Sequence, residues 1–370
     1  MKITLLPSTY YTDPTYHRVL SSLRRELSAS GHEVTIASHT TAINPELQLE
    51  PEAGKTPSDR GARGQVKITL KPPTVRALAE FTPAGAVLNF HFSGWLRGWH
   101  APLLLSGRLA SARLVVTFQD YRHPDLPPLT PAARKTMSAL LRRAHRVTAV
   151  SGFLARMIRA DFPSIADKLL VIPNGTDISA GGALRRPERG YILTVGREAP
   201  YKGLDLLLFA FAKAVEKGCG EKLVVCGAGG RGPLRRLAEK LGIGSRVTFR
   251  GVVPPGELST LMRNCLFYAT TPRWESFGMA VLEAMSAGKA VLAARTGGLA
   301  EFARAGRNAA LVAPKDVDAV SSAILRLSAD RRLRNFLGRE AGKTALKYSW
   351  TKIADKYIRS AYSERLKAKG

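Results

Sequence analysis

Glu275 and Glu283 stand eight positions apart in Arg273-Trp274-Glu275-Ser276-Phe277-Gly278-Met279-Ala280-Val281-Leu282-Glu283-Ala284-Met285-Ser286-Ala287-Gly288. The stretch reads as a loop running into a helix. Ser276 can cap it, Gly278 lets backbone approach a ligand, residues 279–285 are strong helix formers and Gly288 stops the run. At about 100° per residue, eight positions advance roughly two turns plus 80°. Both carboxylates could therefore face one cleft above the helix N-terminus, beside the backbone N–H groups near Phe277 and Gly278. A helix N-terminus attracts phosphate, and carboxylates bind hydroxyls. Together they suit a nucleotide sugar. A surface helix carrying two solvated glutamates fits the same spacing.

A second pair of groups lies upstream. Arg197 and Lys202 flank Glu198-Ala199-Pro200-Tyr201 after an apolar run, and Gly203 lets the next helix start tightly. Two cations at a strand end, facing a helix N-terminus, can clamp a diphosphate and stabilise charge building on a departing nucleotide. An exposed pair in a basic protein is the plain alternative. Gly227-Ala228-Gly229-Gly230 follows another apolar run and reads as a tight turn lining the same cleft; it lacks the full dinucleotide fingerprint. Earlier in the chain, His91 ends a strand in Asn89-Phe90-His91-Phe92, and Gln119-Asp120 ends another. His91 could contact a ligand or be a structural histidine. Asp120 could act as a base or acceptor contact, or as a cap. There is no Ser/His/Asp triad, Walker loop or zinc pattern.

These groups need elements that hold them. The first half alternates apolar runs with helical segments: strands at residues 2–6, 33–37, 66–70, 86–90, 114–118, 146–150 and 168–172, helices at 14–29, 99–109, 131–144 and 152–160. Residues 40–65 read as a long loop and 178–189 as a linker. The second half restarts the pattern. It has strands at 191–195, 222–226, 247–249, 266–269, 290–293 and 309–312, with helices between them, a helix starting at Gly297-Gly298, and a last amphipathic helix over 350–368. Such alternation predicts parallel sheets covered on both faces. Ligands in these sheets sit at the carboxyl ends of strands, which is where Arg197, Lys202, Gly227 and the Glu275 loop fall.

The 370 residues suffice for two domains, and 45% hydrophobic residues exclude wholesale disorder. No apolar run approaches the ~18 residues of a membrane span, and residues 3–6 are too short for a signal-peptide core. The expected location is cytoplasmic. Net charge is +27, from 56 basic and 29 acidic residues spread over both halves. That field favours nucleotide diphosphates, an anionic membrane surface or nucleic acid without choosing among them. Trp95, Arg97, Trp99, His100 and Arg108 form a basic–aromatic patch beside Leu103, Leu104 and Leu105. It could touch a membrane or an acceptor, or be a packed helix with a basic outer side. Nucleic acid is disfavoured, since the aromatic–basic modules that bind it are missing. Cys219, Cys226 and Cys265 match no metal or redox spacing, and no metal site is expected.

At these residues the chain resembles glycosyltransferase family 4, retaining enzymes of the two-domain GT-B fold. The likeness covers nearly the whole sequence. It rests on Glu275-Ser276-Phe277-Gly278 with Glu283, on Gly196-Arg197 and Lys202-Gly203, and on Val171-Ile172-Pro173-Asn174-Gly175-Thr176-Asp177. Phe249-Arg250-Gly251-Val252, Gly297-Gly298-Leu299-Ala300-Glu301 and Tyr348-Ser349-Trp350 add to it. The resemblance implies two Rossmann-like domains facing a cleft. Residues 1–177 would form the acceptor side, with 351–370 crossing back onto it, and 185–350 the donor domain. It implies transfer from a UDP- or GDP-sugar to an unknown acceptor, with retention at the anomeric carbon and no cofactor. Arg197 and Lys202 would hold the donor diphosphate, and Glu275 the sugar hydroxyls. Phe277, Gly278 and Met279 would contact the donor, with Glu283 at the ribose and Val252 near the base. Two departures stand out. Tyr10-Tyr11-Thr12-Asp13-Pro14 replaces the usual paired glycines. Gln119 stands where the family often has histidine; it can hydrogen-bond but cannot act as acid or base. In a retaining mechanism the leaving phosphate can take the proton, and His91 can share the positioning. A nucleotide-sugar epimerase or a glycosyl phosphorylase is the alternative on the same fold.

Overall fold

The computed structural model describes residues 1–7, 14–37, 78–79, 82–93, 104–122, 128–177, 190–227 and 232–363. Two compact units make up the chain. One comprises Met1–Pro173 with Ile353–Gly370, the other Asn174–Lys352.

The strands of the first unit are short runs of apolar and β-branched residues: β1 (Lys2–Pro7), β2 (Glu33–Ile36), β3 (Val87–Ser93), β4 (Arg113–Asp120), β5 (Arg146–Ala149) and β6 (Leu169–Val171). They pair in the order β2-β1-β3-β4-β5-β6, and every pairing is parallel. Parallel strands bury both faces, which is why β3 and β4 are buried almost throughout instead of at alternate positions. Helices α1 (Pro14–Ala29), α2 (Pro131–Arg143) and α3 (Gly152–Asp161) alternate with them. Thr130 caps α2 by accepting the Ala133 N–H, and Ser151 caps α3 by accepting the Leu154 N–H.

A buried polar ladder crosses this sheet. The Thr148 hydroxyl donates to the Thr117 hydroxyl (2.9 Å), which donates to the Asn89 side-chain carbonyl (2.8 Å). The Asn89 amide in turn donates to the hydroxyl of Tyr362 (2.7 Å). Tyr362 comes from the far end of the chain, and the Arg113 guanidinium holds its carbonyl at 2.9 Å.

The second unit contains β7 (Tyr191–Val195), β8 (Lys222–Cys226), β9 (Val247–Gly251), β10 (Phe267–Thr270), β11 (Val291–Ala294) and β12 (Ala310–Val312). Their order is β12-β11-β10-β7-β8-β9, again with every pairing parallel. The chain runs outward from β7 to β9, returns to β10 beside β7, and runs outward the other way. The β7–β10 boundary is thus the topological switch point, where doubly wound sheets bind ligands. The helices are α4 (Leu204–Glu216), α5 (Pro233–Lys240), α6 (Pro255–Asn264), α7 (Met279–Ser286), α8 (Val317–Ala329) and α9 (Arg331–Ala345), with α10 (Trp350–Lys356) after them. Ile192, Phe211, Leu223, Phe267, Leu292 and Ile324 anchor the core.

Three expectations change. Gly297–Glu301 is a short 3-10 turn, because Gly297 takes φ +55° and the Gly298 N–H bonds the Glu275 carbonyl at 2.9 Å. The last helix ends at Lys356 and widens into a π-turn over Tyr357–Ala361. There the Tyr362 N–H bonds the Tyr357 carbonyl, and the two rings stack at 5.4 Å inside the first unit. Within the described part of 99–109, Gly107–Leu109 is a 3-10 turn. The strand expected at 66–70, the loop at 40–65, the linker at 178–189 and residues 228–230 lie outside the described residues, as do residues 10–13, Trp95, Arg97, Trp99 and His100. Among the described residues, no helix is long and apolar enough to cross a membrane, and no group of His, Cys, Asp or Glu is gathered to hold a metal.

Candidate active site

The loop after β7 carries the two cations. Gly203 sits at φ +64°, and a Cβ there would lie 1.9 Å from the Thr271 carbonyl oxygen. Only glycine allows that approach, so the β7 loop and the β10 loop press together across the switch point. Lys202 and Glu275 meet there: Nζ lies 3.0 Å from Oε2, with both side chains mostly buried. Burial alone would lower the Lys202 pKa. The charge of Glu275 and the hydrogen bond to it prevail, and the pKa is raised.

Tyr201 sits under both cations. The Arg197 guanidinium donates to its hydroxyl. The guanidinium carbon lies 5.8 Å from the ring centroid and the Lys202 Nζ 5.2 Å from it. The Tyr201 carbonyl accepts the N–H groups of Arg273 (2.7 Å) and Trp274 (3.3 Å), at the start of the Glu275 loop. Arg273 is fastened in turn to both oxygens of Asp205, at 2.8 and 2.6 Å. This fork-on-carboxylate geometry ties the first turn of α4 to the β10 loop. Sequence reasoning passed over Tyr201; an aromatic residue between two cations on one short loop was the available signal.

Ser276, the expected cap, stands two residues before the N-cap position of α7. Gly278 is the N-cap of α7, at φ +105°, a conformation that L side chains rarely adopt. Phe277 is buried and packs its ring on Phe302 (5.4 Å) and Tyr348 (6.2 Å). Met279, the first residue of α7, is half-buried. Helix α7 is apolar on nearly every side and buried from Val281 to Ser286. Glu283 is its one charged residue and is 5% exposed, which excludes a solvated surface glutamate. Both Glu275 and Glu283 act on the buried Tyr268. Burial is the larger cause of that hydroxyl's raised pKa, and the two carboxylates push it further. Gly288 takes φ +67° beyond the helix end.

Gly227 ends β8 at φ +86°. A Cβ there would lie 2.9 Å from the Gly196 carbonyl oxygen, and its N–H donates to the Gly251 carbonyl at 2.6 Å. The ends of β7, β8 and β9 therefore close on one another through glycines. Val252, just past β9, is 72% exposed.

In the first unit, β1, β3 and β4 bring His91 level with Pro7 and Thr117. His91 is fully buried, and its Nδ1 lies 3.4 Å from the Gln119 amide nitrogen. Burial lowers its pKa to about 3, which keeps the ring neutral at ordinary pH. Gln119 is largely buried. Asp120 is half-buried, and its Oδ1 accepts the Tyr121 N–H at 2.8 Å.

Residues 17–180 match the family described as Glycosyltransferase Family 4, and residues 181–344 match Glycosyl transferases group 1. A D-inositol 3-phosphate glycosyltransferase of Nocardia farcinica is 29% identical over 294 residues, 74% of this chain. The chain spans 64% of that relative's length. A solved glycosyltransferase from Rickettsia africae superposes with a TM-score of 0.75 at 17% identity, covering 99% of each chain. Anabaena HepE, solved in complex with UDP and glucose, gives 0.70 at 19% identity, covering 98% of this chain and 100% of its own. Two Rossmann-like units of parallel strands, as in these structures, define the GT-B fold class. The chain belongs to glycosyltransferase family 4.

Proposed function

We propose that the protein transfers a sugar from a nucleotide-sugar donor, a UDP-sugar first, to an acceptor hydroxyl with retention at the anomeric carbon. The observation that carries this reading is the Lys202–Glu275 pair at the switch point of the second unit. A lysine ammonium has three protons. One can stay with Glu275 while the others reach phosphate oxygens, so a single pair holds a group for the diphosphate beside a group for the sugar. Arg197 supplies a second, permanently charged donor to the diphosphate. Together they offset the charge that builds on the departing nucleotide. Glu275 takes sugar hydroxyls and Glu283 the ribose, with Phe277, Gly278 and Met279 along the donor. Gly227 and Val252 border the phosphate and base. His91, neutral and bonded to Gln119, positions groups on the acceptor side with Asp120 and does not carry charge. The incoming hydroxyl gives its proton to the leaving phosphate. The HepE complex with UDP and glucose supports a UDP donor, and the inositol-phosphate relatives make a phosphorylated polyol the first acceptor to try.

The test is acceptor-dependent release of UDP from a panel of labelled UDP- and GDP-sugars, with inositol phosphates and a lipid extract as acceptors. Transfer of label to an acceptor, with the α-configured donor giving an α-linked product, supports the reading. Interconversion of the donor sugar without an acceptor, or phosphate-dependent cleavage of a glycan, overturns it.

A further inference from the structure

We infer that Tyr201 is a positioning residue for the two diphosphate-facing cations; this rests on the reading of Arg197 and Lys202 given above. Two like charges on one six-residue loop repel, and Arg197 does act to lower the Lys202 pKa. Lys202 has a carboxylate partner in Glu275. Arg197 donates to an uncharged group, the Tyr201 hydroxyl. A neutral acceptor fixes the guanidinium without cancelling its charge, so that contact leaves the charge for an incoming anion. The ring does the same for Lys202: its negative face lies within 5.2 Å of Nζ and 5.8 Å of the Arg197 guanidinium carbon, close enough for cation–π attraction. One aromatic side chain thus offsets the repulsion between both cations and neutralises neither.

Two further observations fix the ring in place and tie it to the Glu275 loop. Tyr201 is 6% exposed, so its orientation is held by its surroundings. Its carbonyl receives the Arg273 and Trp274 N–H groups. The backbone that aims the ring also sets the start of the loop bearing Glu275. Displacing Tyr201 would move both cations and the carboxylate together.

The experiment uses the full chain and titrates UDP and GDP by calorimetry, with melting temperature read in parallel. Tyr201→Phe keeps the ring and removes the hydroxyl; Tyr201→Leu removes both. Loss of a hydrogen bond to a charged group predicts about tenfold weaker nucleoside-diphosphate binding for Tyr201→Phe, and a larger loss for Tyr201→Leu. The discriminating measurement is a double-mutant cycle. In the Arg197→Ala background, Tyr201→Phe should cost clearly less affinity than it does in wild type, because the guanidinium contact that it removes is already gone. Lys202→Ala and Arg197→Ala serve as reference. If neither weakens binding, or the wild-type chain binds neither UDP nor GDP, the reading of the cations as a clamp fails and takes this inference with it. If both weaken binding while the Tyr201 variants match wild type, or the cycle is additive, the inference alone is overturned.

Discussion

The Lys202–Glu275 pair has both side chains mostly out of water, and a pair in that setting is costly to break from one side. Glu275→Gln keeps the shape and removes the charge. Sugar transfer should fall roughly a hundredfold or more, the order seen when one charge-stabilising contact to a transition state is removed. The melting temperature should fall by the cost of that broken pair while the chain still folds, since the loop is also held by Gly298 and Tyr201. Turnover near wild type, measured by UDP release, would contradict the assignment. His91 gives a second expectation at this scale. Its pKa is lowered from 6.5 to about 3 by burial. Above pH 6.5 the ring is neutral in both folded and unfolded chains and costs nothing. As pH falls from 6.5 towards 3, only the unfolded chain takes up the proton, so stability is progressively lost. At about 1.4 kcal/mol per pH unit, roughly 2 kcal/mol should be gone by pH 5. Denaturant titrations of wild type and His91→Asn at pH 7.5 and 5 should show that difference shrink in the variant. Transfer itself should show no titration near pH 6.5 that His91→Asn abolishes.

Among elements, the loops after β7 and β10 owe their geometry to glycine. A Cβ at Gly203 would lie 1.9 Å from the Thr271 carbonyl oxygen, and one at Gly297 would lie 2.0 Å from that of Glu275. Both residues have positive φ as well. Gly203→Ala should therefore cost about 3 kcal/mol or more by the combined strain and clash, and should weaken UDP binding beyond the loss of folded protein. An unchanged melting temperature would contradict that reading of the junction. Much of this arrangement is legible in the sequence. Apolar runs alternating with helices point to parallel sheets, and placing functional groups at strand ends selects Arg197, Lys202 and Glu275. What escapes is the part decided by close contact. Ser276 is a good cap by type, yet Gly278 caps α7 because the chain must turn there at φ +105°. Gly297-Gly298-Leu299-Ala300-Glu301 looks like a helix start, yet the Glu275 carbonyl captures its N–H and stops it as a 3-10 turn. Tyr201 looks like an ordinary loop aromatic until both cations are found around its ring. No periodicity carries information of that kind.

The chain as a whole is not two units joined once. It leaves the first unit at Pro173 and returns at Ile353. The returning segment is strongly buried: Ile353, Ala354, Tyr357, Ala361 and Tyr362 are each 1% exposed or less. It also completes the polar ladder of Asn89, Thr117 and Thr148, which a buried sheet requires if its polar groups are not to be left unsatisfied. The first unit should therefore depend on residues that follow the second in sequence. Tyr362→Phe removes only the hydroxyl that Asn89 donates to and should cost about 1–2 kcal/mol. Tyr362→Ala also leaves a large cavity and should cost roughly 3–5 kcal/mol. A chain ended after Lys352 should lose protection of β3 and β4 in hydrogen exchange. It should retain UDP affinity within a fewfold, because Arg197, Lys202, Glu275 and Glu283 all lie in the second unit. Equal loss of protection across both sheets would mean that the two units fold as one cooperative body. Unchanged protection of β3 and β4 would mean that the returning segment contributes little. Selective loss in the first sheet with UDP binding intact is the outcome that this connectivity dictates.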